Sequence, residues 1–346
     1  CGFSLAAVPA AAEVCKSRGG DRPSVGLVLG GGGARGSSHI GVIKALEEMR
    51  VPVDCVVGTS MGSLVGALYA SGMSVPEMEA TITGIDWAEI FNDETPRQDR
   101  PYRRKRDDEV YALFGPKVGL DTDAAALASG FVSGQKINFL FETLISERVD
   151  SRYFDQLPIP YRAVAADLVT GERVVMEEGN LALAMRASMS VPAVFDPVLW
   201  EDRLLVDGGI VDNLPVDVAR ELGADVVIAV DVGAGGLQKE DIKDLLAVVA
   251  QLTNLMILSN VNVQRESLGD GDILVKPTLG EHFSSADFDK SSEGAEIGYV
   301  SAMAQHNDFS SLSLSETAYA RYAATMKREA PQAPVIQFVE LDNQSQ

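Results

Sequence analysis

Ser60 lies between two glycines in the sequence Gly58-Thr59-Ser60-Met61-Gly62, directly after the apolar residues 55–57. This spacing is typical of a nucleophile elbow, in which the chain turns sharply from a strand into a helix and the serine backbone is strained. Glycine is needed at 58 and 62 because a larger side chain would clash in so tight a turn. The pattern predicts a serine hydroxyl at a helix N-terminus, where N–H groups stabilise negative charge.

Residues 30–36 read Gly-Gly-Gly-Gly-Ala-Arg-Gly and offer a second element of such chemistry. They lie between a strand-like segment at 25–29 and a helix-like segment at 38–49. Adjacent glycines expose backbone N–H groups, which can hold a phosphate or a tetrahedral oxyanion. The segment therefore predicts an anion-binding loop.

Asp207 is the candidate base. It ends the apolar segment 204–206 and is followed by Gly208 and Gly209. Side chains at the carboxyl ends of strands face the crevice of an open α/β sheet, which is where a base would meet the nucleophile. The two glycines allow the backbone to pass close to that nucleophile.

The elements that must position these residues alternate along the chain. Helical patterns lie between many of the strand-like segments, which predicts a mainly parallel central sheet with helices on both faces, a three-layer α/β/α sandwich. The strand-like segments are at 25–29, 55–57, 161–165, 173–176, 203–206 and 225–232.

The three motifs, in this order, resemble those of the patatin-like phospholipases, which are GxGxxG, GxSxG and DG[AG]. The resemblance covers roughly residues 24–310 and includes the blocks at 186–195 and 211–216. It implies a Ser–Asp dyad, with Ser60 as nucleophile and Asp207 as general base. It also implies an oxyanion hole formed by Gly31, Gly32, Gly33, Ala34, Arg35 and Gly36.

What the resemblance implies about activity is a serine lipid acyl hydrolase of the phospholipase A type, or a general lipid esterase, working through an acyl-enzyme. Neither a metal nor another cofactor is expected. An acyltransferase using the same acyl-enzyme is the first alternative, since the sequence does not reveal the acceptor. The second is a non-catalytic exported binding module, which would be expected to have lost Ser60 or Asp207, yet both are present.

The motifs also allow two other interpretations. A strand, GxGxxG, a helix and an acidic residue about 20 positions later form the dinucleotide fingerprint. Asp54 lies 18 residues after Gly36, but it precedes the apolar segment 55–57, and the ribose-binding acid belongs at the carboxyl end of a strand. A nucleotide site is therefore disfavoured.

A Ser-His-Asp triad is the other interpretation, and the chain has three histidines. His282 and His306 follow Asp207 in the chain order of an α/β-hydrolase triad, but neither lies at a glycine-flanked strand end. His39 is expected to pack or cap near the glycine loop. A dyad without histidine is workable if Asp207 contacts the serine hydroxyl in a dry site.

Three further segments bear on substrate binding. Arg35 either orients the glycine loop and offsets negative charge, or pairs with a nearby carboxylate. The basic residues between 97 and 106 either hold a lipid phosphate or form a solvated loop neutralised by the acidic residues 107–109. The apolar residues within 130–149 are expected in the core, with lining of an acyl channel or contact with a bilayer as the alternative.

Composition limits the partners. The 346 residues carry a net charge of −21, which disfavours nucleic acid because the protein field repels phosphate. The same charge disfavours long-range attraction to an anionic membrane, so only a transient membrane-surface contact is expected besides the lipid ester itself. No stretch of 18 apolar residues is present, and no transmembrane helix is predicted.

The first residue is Cys1, and residues 1–23 resemble a signal-peptide remnant and leader, with an A-x-A cleavage pattern at 10–12. A lipidated Cys1 is the alternative, and both predict an exported protein, secreted or associated with the outer membrane. Cys1, Cys15 and Cys55 suggest no disulfide framework, because Cys1 lies in the segment that resembles a cleavable leader and Cys55 lies in a predicted buried strand.

The catalytic domain is predicted at 24–328, with a helix-like end at 315–328. Residues 329–346 are a proline linker and a strand without a partner, expected to begin a further domain. The chain is similar to the passenger of bacterial proteins in which a patatin domain precedes a POTRA domain and an outer-membrane barrel, including the blocks at 103–108 and 163–167. The resemblance implies that the parent protein carries both.

Overall fold

The computed structural model describes residues 14–18, 22–91, 118–120, 125–127, 130–132, 134–146, 148–149, 151–236, 238–243, 245–280 and 282–326. Three predictions concern residues outside these ranges: the signal-peptide remnant before residue 14, the basic residues at 97–106, and the linker and strand at 329–346. They stay predictions.

The fold is built on an eight-stranded sheet that is mainly parallel. Five neighbouring strands run in parallel in the order β12-β11-β1-β2-β6, and β10, β9 and β7 add antiparallel pairs beside β6. The strands of this sheet are β1 (Val25–Leu29), β2 (Cys55–Thr59), β6 (Tyr161–Asp167), β7 (Arg173–Met176), β9 (Val198–Trp200), β10 (Arg203–Asp207), β11 (Val226–Val230) and β12 (Ile273–Val275). Two small two-stranded sheets join β3 (Val118–Leu120) to β4 (Ala125–Leu127) and β5 (Gly130–Val132) to β8 (Ala193–Phe195).

Helices cover both faces of the sheet, and alternating residues of β1 show why. Leu27 and Leu29 belong to the buried cluster under one helical layer, whereas Val28 belongs to the cluster under the other. The first layer contains α1 (Ser38–Glu48), α2 (Met61–Ala70), α3 (Val75–Gly84), α4 (Trp87–Ile90), α5 (Gln135–Ser146), α6 (Leu181–Ser188) and α10 (Ser291–Ala304), and the second contains α8 (Val216–Glu221) and α9 (Leu245–Glu266). The short helices α7 (Gly209–Asp212) and α11 (His306–Phe309) and the helix α12 (Glu316–Met326) complete the described α-helices. The predicted three-layer α/β/α sandwich is confirmed.

Cys15 and Cys55 form a disulfide, with their Cα atoms 5.1 Å apart. The prediction that the cysteines form no disulfide framework is therefore wrong. The segment before β1 lies against the second helical layer, because the N–H groups of Val14 and Cys15 donate to the carbonyl of Leu222. This brings Cys15 onto the face of β2 where the Cys55 side chain is buried, so burial in a strand did not preclude a bond.

The apolar residues predicted within 130–149 lie largely in the core. In α5, Ile137, Phe141 and Ile145 are buried in the cluster of the first layer. Phe139 on the opposite side of the same helix is exposed. The core interpretation therefore accounts for the buried residues of this segment. Across the described ranges, no helix has the length and apolar character needed to cross a membrane.

Candidate functional site

Ser60 lies between β2 and α2 with φ 53° and ψ −125°, a left-handed conformation that is strained for a residue with a side chain. A Cβ at Gly58 would overlap the carbonyl oxygen of Gly62, and a Cβ at Gly62 would overlap that of Leu29. The two glycines are therefore required by close backbone approach, and the geometry is that of a nucleophile elbow.

Hydrogen bonds on both sides hold this strained backbone in place. The Ser60 N–H donates to Oγ of Ser188 at 2.9 Å, and that hydroxyl donates to the carbonyl of Val164 at 2.6 Å. The Ser60 carbonyl accepts from the N–H groups of Ser63 and Leu64. Ser188 belongs to the block at 186–195, but no motif in the sequence marks it as the support of the elbow.

Asp207 lies beside the serine because β2 and β10 pair with consecutive residues of β6. Thr59 is opposite Val164, and Asp207 is opposite Ala165. The Ser60 hydroxyl adjoins the Asp207 carboxylate and lowers its pKa, and both residues are buried. The structure thus brings the predicted nucleophile and base together.

The Asp207 carboxylate is buried but not isolated. Its Oδ1 accepts a hydrogen bond from the Gly209 N–H at 2.7 Å. Burial raises the pKa of Asp207 to about 6, although the nearby Ser60 hydroxyl and the hydrogen bond from the Gly209 N–H act in the opposite direction. The neighbouring Gly208 passes so close to β6 that a Cβ there would overlap the carbonyl oxygen of Val164.

The glycine loop lies directly against the nucleophile. A Cβ on Gly31 would be 3.0 Å from the Cβ of Ser60, and it would also overlap Oδ1 of Asn213. Asn213 holds this residue from both sides, because its carbonyl accepts from the Gly31 N–H at 3.2 Å and its Nδ2 donates to the Gly31 carbonyl at 3.1 Å. The hydrogen bonds with Asn213 therefore hold Gly31 of the glycine loop against Ser60.

The N–H groups of this loop are not equivalent. Those of Gly31, Ala34 and Arg35 donate to the carbonyls of Asn213, Ser285 and Gly32. Those of Gly32 and Gly33 donate to no acceptor in the described part of the chain. Gly33 has φ +58°, and a Cβ there would overlap the Ser285 carbonyl, so both conformation and space demand glycine. Gly36 begins the contact with α2, where a Cβ would overlap the Met61 side chain.

The Arg35 guanidinium forms no ion pair with a carboxylate of the described residues and donates instead to backbone carbonyls. It donates to Val232 at 2.8 Å and to Phe283 at 2.6 Å, with longer bonds to Gly280 and Gly233. Burial lowers the pKa of Arg35, and the nearby Asp231 charge partly offsets this. Of the two interpretations of Arg35, the geometry matches the one in which it orients the loop.

His39 is buried, and its ring Nε2 lies 2.8 Å from the Gly30 carbonyl, to which a neutral imidazole donates. Burial lowers the pKa of His39 to about 4, so the ring is uncharged near neutral pH. This is the packing role expected for it. His282 and His306 are exposed, and within the described ranges no histidine hydrogen-bonds to Ser60 or Asp207.

Asp54 lies at the other end of β2 from Ser60. Its carboxylate forms a bidentate pair with Arg22, at 2.6 and 2.7 Å, and accepts from the Val25 N–H at 2.8 Å. It has no access to the glycine loop, so the geometry gives no support to a dinucleotide site. Among the described residues, no group of three or more His, Cys, Asp or Glu side chains is placed to hold a metal ion.

Asn260 is a site residue that the sequence did not indicate. Its Nδ2 donates to the Gly209 carbonyl at 2.8 Å, and its Oδ1 accepts from the Asn213 N–H at 3.0 Å. It therefore links α9 to the loop that follows the base. An asparagine in a helix so far along the chain carries no local signal of this contact.

This chain is similar to a family model, to proteins of known sequence and to solved structures. The family model described as patatin-like phospholipase matches residues 27–220. The chain is 35% identical over 213 residues to patatin-like phospholipase domain-containing protein 6 of Mus musculus, covering 61% of this chain and 14% of that protein. It is 36% identical over 222 residues to the uncharacterized NTE family protein Rv1063c of Mycobacterium tuberculosis, covering 64% of this chain and 52% of that protein.

The chain thus spans about a seventh of the mouse relative and about half of the mycobacterial one. Among solved structures it is similar to VipD from Legionella pneumophila, with a TM-score of 0.46 and 16% identity, over 87% of this chain and 75% of VipD. It is also similar to the type III effector ExoU, with a TM-score of 0.39 and 13% identity, over 84% of this chain and 53% of ExoU.

Proposed function

The chain belongs to the patatin-like phospholipase family, and from this we propose that it is a serine lipid acyl hydrolase working through a Ser60–Asp207 dyad. The observation that carries the proposal is that the Ser60 hydroxyl, at a strained elbow, lies against the buried Asp207 carboxylate and lowers its pKa. The substrate class is a phospholipid or another lipid ester, cleaved by phospholipase A-type or general esterase chemistry.

The first half of the reaction follows from these contacts. Ser60 Oγ attacks the ester carbonyl carbon while its proton passes to the Asp207 carboxylate. The carbonyl π electrons move onto oxygen, and the tetrahedral intermediate carries a negative charge there. When it collapses, the alcohol leaves with the proton from Asp207 and an acyl-enzyme remains on Ser60.

The second half repeats these steps with water. Asp207 takes a proton from the attacking water, and a second tetrahedral intermediate forms. Its collapse releases the fatty acid, and the proton returns from Asp207 to Ser60 Oγ. In this proposal water is the acceptor, and transfer of the acyl group to an added alcohol would instead identify an acyltransferase.

We assign the oxyanion hole within residues 31–36 to the N–H groups of Gly32 and Gly33. The assignment rests on the observation that these two donors are unused in the described structure, whereas their neighbours are bonded. Donors that are fixed before the reaction stabilise the developing charge without reorganisation cost. The bonds of Arg35 to the carbonyls of Val232 and Phe283 would supply that fixation.

Burial suits Asp207 to the role of base. A carboxylate with its usual pKa is a weak base near neutral pH. A pKa of about 6 brings the proton affinity of Asp207 closer to that of an effective general base at neutral pH. His39 would contribute by holding the Gly30 carbonyl rather than by moving protons, since its pKa is lowered to about 4.

Fluorophosphonate labelling tests the proposal, because the probe reacts with activated serines. The wild-type protein should be labelled, and Ser60→Ala should abolish the label. Ser71→Ala is the matched control, since Ser71 is a buried serine at the end of the same helix α2. An unlabelled wild-type protein, or a label that persists in Ser60→Ala, would refute the assignment of the nucleophile.

We also propose that the protein acts outside the reducing cytosol. The disulfide between Cys15 and Cys55 supports this, because such bonds form and persist in oxidising compartments. Export, by a signal peptide or by lipidation of Cys1, and a parent protein with a POTRA domain and barrel stay predictions from the resemblance.

A further inference from the structure

The helix α9 (Leu245–Glu266) has an unusual composition for this protein. Charged residues make up 23% of the chain, yet residues 245–264 contain no Asp, Glu, Lys or Arg. The polar residues of this stretch are uncharged side chains, namely Gln, Asn, Ser and Thr. Most of this long helix is therefore uncharged, although the protein as a whole is acidic.

Large apolar side chains of α9 are exposed. Val263, Leu252 and Leu255 are 64%, 57% and 52% exposed, and Met256 is about as open as these. Val261, on the inner side, is buried in the cluster of the second layer. Positions 252, 255, 256 and 263 recur at helical spacing, so they share one face of the helix. We call these four residues the α9 face.

The α9 face borders the short helix α7 that follows the base Asp207. Its side chains line an open groove whose other wall is formed by Ile210 and Val211, in the helix that directly follows the base loop. Asn260, which also lies on α9, donates to the Gly209 carbonyl at 2.8 Å, and the Gly209 N–H in turn donates to Asp207. The exposed apolar face is therefore continuous with the loop that holds the base.

We propose that the α9 face is the surface by which this protein docks on a lipid bilayer, with its apolar side chains inserted among the lipids. The proposal rests on the proposed function, because a lipid ester is supplied at such a surface. Exposed, contiguous apolar side chains of this kind mark an interaction site rather than ordinary surface. A helix with one apolar face can lie in the interface plane with that face buried.

Charge favours a bilayer bound by apolar insertion over one bound by ionic attraction. The net charge of −21 repels anionic lipid, and the α9 face has no cation to offset it. Placement favours a bilayer over a second copy of the chain, because a copy seated on this groove would also cover Ile210 and Val211 beside the base loop. A bilayer would instead present substrate there.

Vesicle co-sedimentation of the Ser60→Ala protein tests the proposal without turnover. In that background we compare the unchanged α9 face, Leu252→Gln with Leu255→Gln, and the single change Val263→Gln. The control is Val300→Gln, since Val300 is 56% exposed on α10, in the other helical layer. Glutamine is a good helix former, so the substitutions preserve the helix.

On phosphatidylcholine vesicles, the double substitution should weaken binding by at least about tenfold, since insertion of a leucine is worth more than the ~1.4 kcal/mol that equals a factor of ten. Val263→Gln should weaken it less, and Val300→Gln should not change it. Adding phosphatidylglycerol should weaken binding at low salt, and salt should restore it by screening the repulsion.

Four results would overturn the proposal: no binding to vesicles, equal binding by the double variant, binding that salt abolishes, or a dimer in solution that the double variant dissociates. The last would assign the α9 face to a second copy. Hydrolysis of a small soluble ester, measured with Ser60 intact, separates the two proposals. If it is absent in the wild-type protein, the proposed function fails, whereas vesicle binding still decides the docking surface.

Discussion

Ser60 and Asp207 lie side by side because β2 and β10 pair with consecutive residues of β6. The residue before Ser60 pairs with Val164, and Asp207 pairs with Ala165. A shift of either strand by one residue would turn its side chains to the other face of the sheet. The proximity of the two side chains therefore depends on the register of three strands as much as on the residues themselves.

We expect Ser60→Ala and Asp207→Asn each to lower the rate of ester hydrolysis by about 10⁴ or more, because members of one catalytic unit do not act separately. Initial rates on a soluble p-nitrophenyl ester, with circular dichroism to check folding, measure this. His282→Ala and His306→Ala are the controls, and they should change the rate little. A loss in either histidine variant as severe as that of Ser60→Ala would indicate a triad.

Gly32→Ala should impair turnover more than stability. Its φ of −178° is open to alanine, but the new Cβ would lie 2.8 Å from Cγ2 of Val232, so the N–H donor at this position must shift. Loss of one oxyanion donor costs about 10²–10³ in rate. The comparison is kcat and thermal midpoint against Gly84→Ala, since a Cβ at Gly84 meets nothing within 4 Å.

An unchanged kcat in Gly32→Ala would remove Gly32 from the proposed oxyanion hole. A fall in the thermal midpoint that accounts for the lost activity would assign it a structural role instead.

The pH profile should show an acid limb near pH 6. Burial raises the pKa of Asp207 to about 6, and only the deprotonated carboxylate can accept the serine proton. The rate should therefore be nearly constant well above pH 6 and fall about tenfold per pH unit below it. Rates on the soluble ester between pH 4 and pH 8 measure this.

Asp212 provides the control for that assignment, because burial raises its pKa as well, to about 7, and it pairs with Arg173 rather than with Ser60. Asp212→Asn should leave the acid limb where it is. A limb that vanishes in this variant would assign the titration to Asp212.

Reduction of the Cys15–Cys55 disulfide should destabilise the fold. The bond closes a loop with a sequence separation of 40, for which chain entropy gives about 4 kcal/mol. Urea unfolding with and without reductant measures the difference. The Cys15→Ala, Cys55→Ala double variant should unfold at the urea concentration of the reduced protein and should not respond to reductant, and a response there would contradict the assignment.

Much of the site could be predicted because its signals are local. The elbow around Ser60 and the strand end at Asp207 are short apolar segments followed by glycines, and β1 and β7 have the predicted bounds. Local patterns also placed His39 correctly as a packing residue. In each case neighbours in the sequence are neighbours in space.

What the sequence did not reveal depends on contacts between distant residues. Cys15 lies in a segment of leader-like composition, and it is brought beside Cys55 by the hydrogen bonds of the Val14 and Cys15 N–H groups to the distant Leu222 carbonyl. Asn260 meets Gly209 across 51 positions, through side-chain contacts that no periodicity encodes. The two edge strands of the large sheet, β9 and β12, are not predicted, because three residues give too short a pattern.

The bonds of Arg35 also set an order of events in time. The arginine that holds the glycine loop is near the start of the chain, but the carbonyls that receive its guanidinium lie 197 and 248 positions later, at Val232 and Phe283. A nascent chain that has not yet passed residue 283 has its nucleophile motif but lacks the Phe283 carbonyl that completes the anchoring of Arg35. Catalytic competence should therefore arise late in synthesis, when almost all of the described domain is folded.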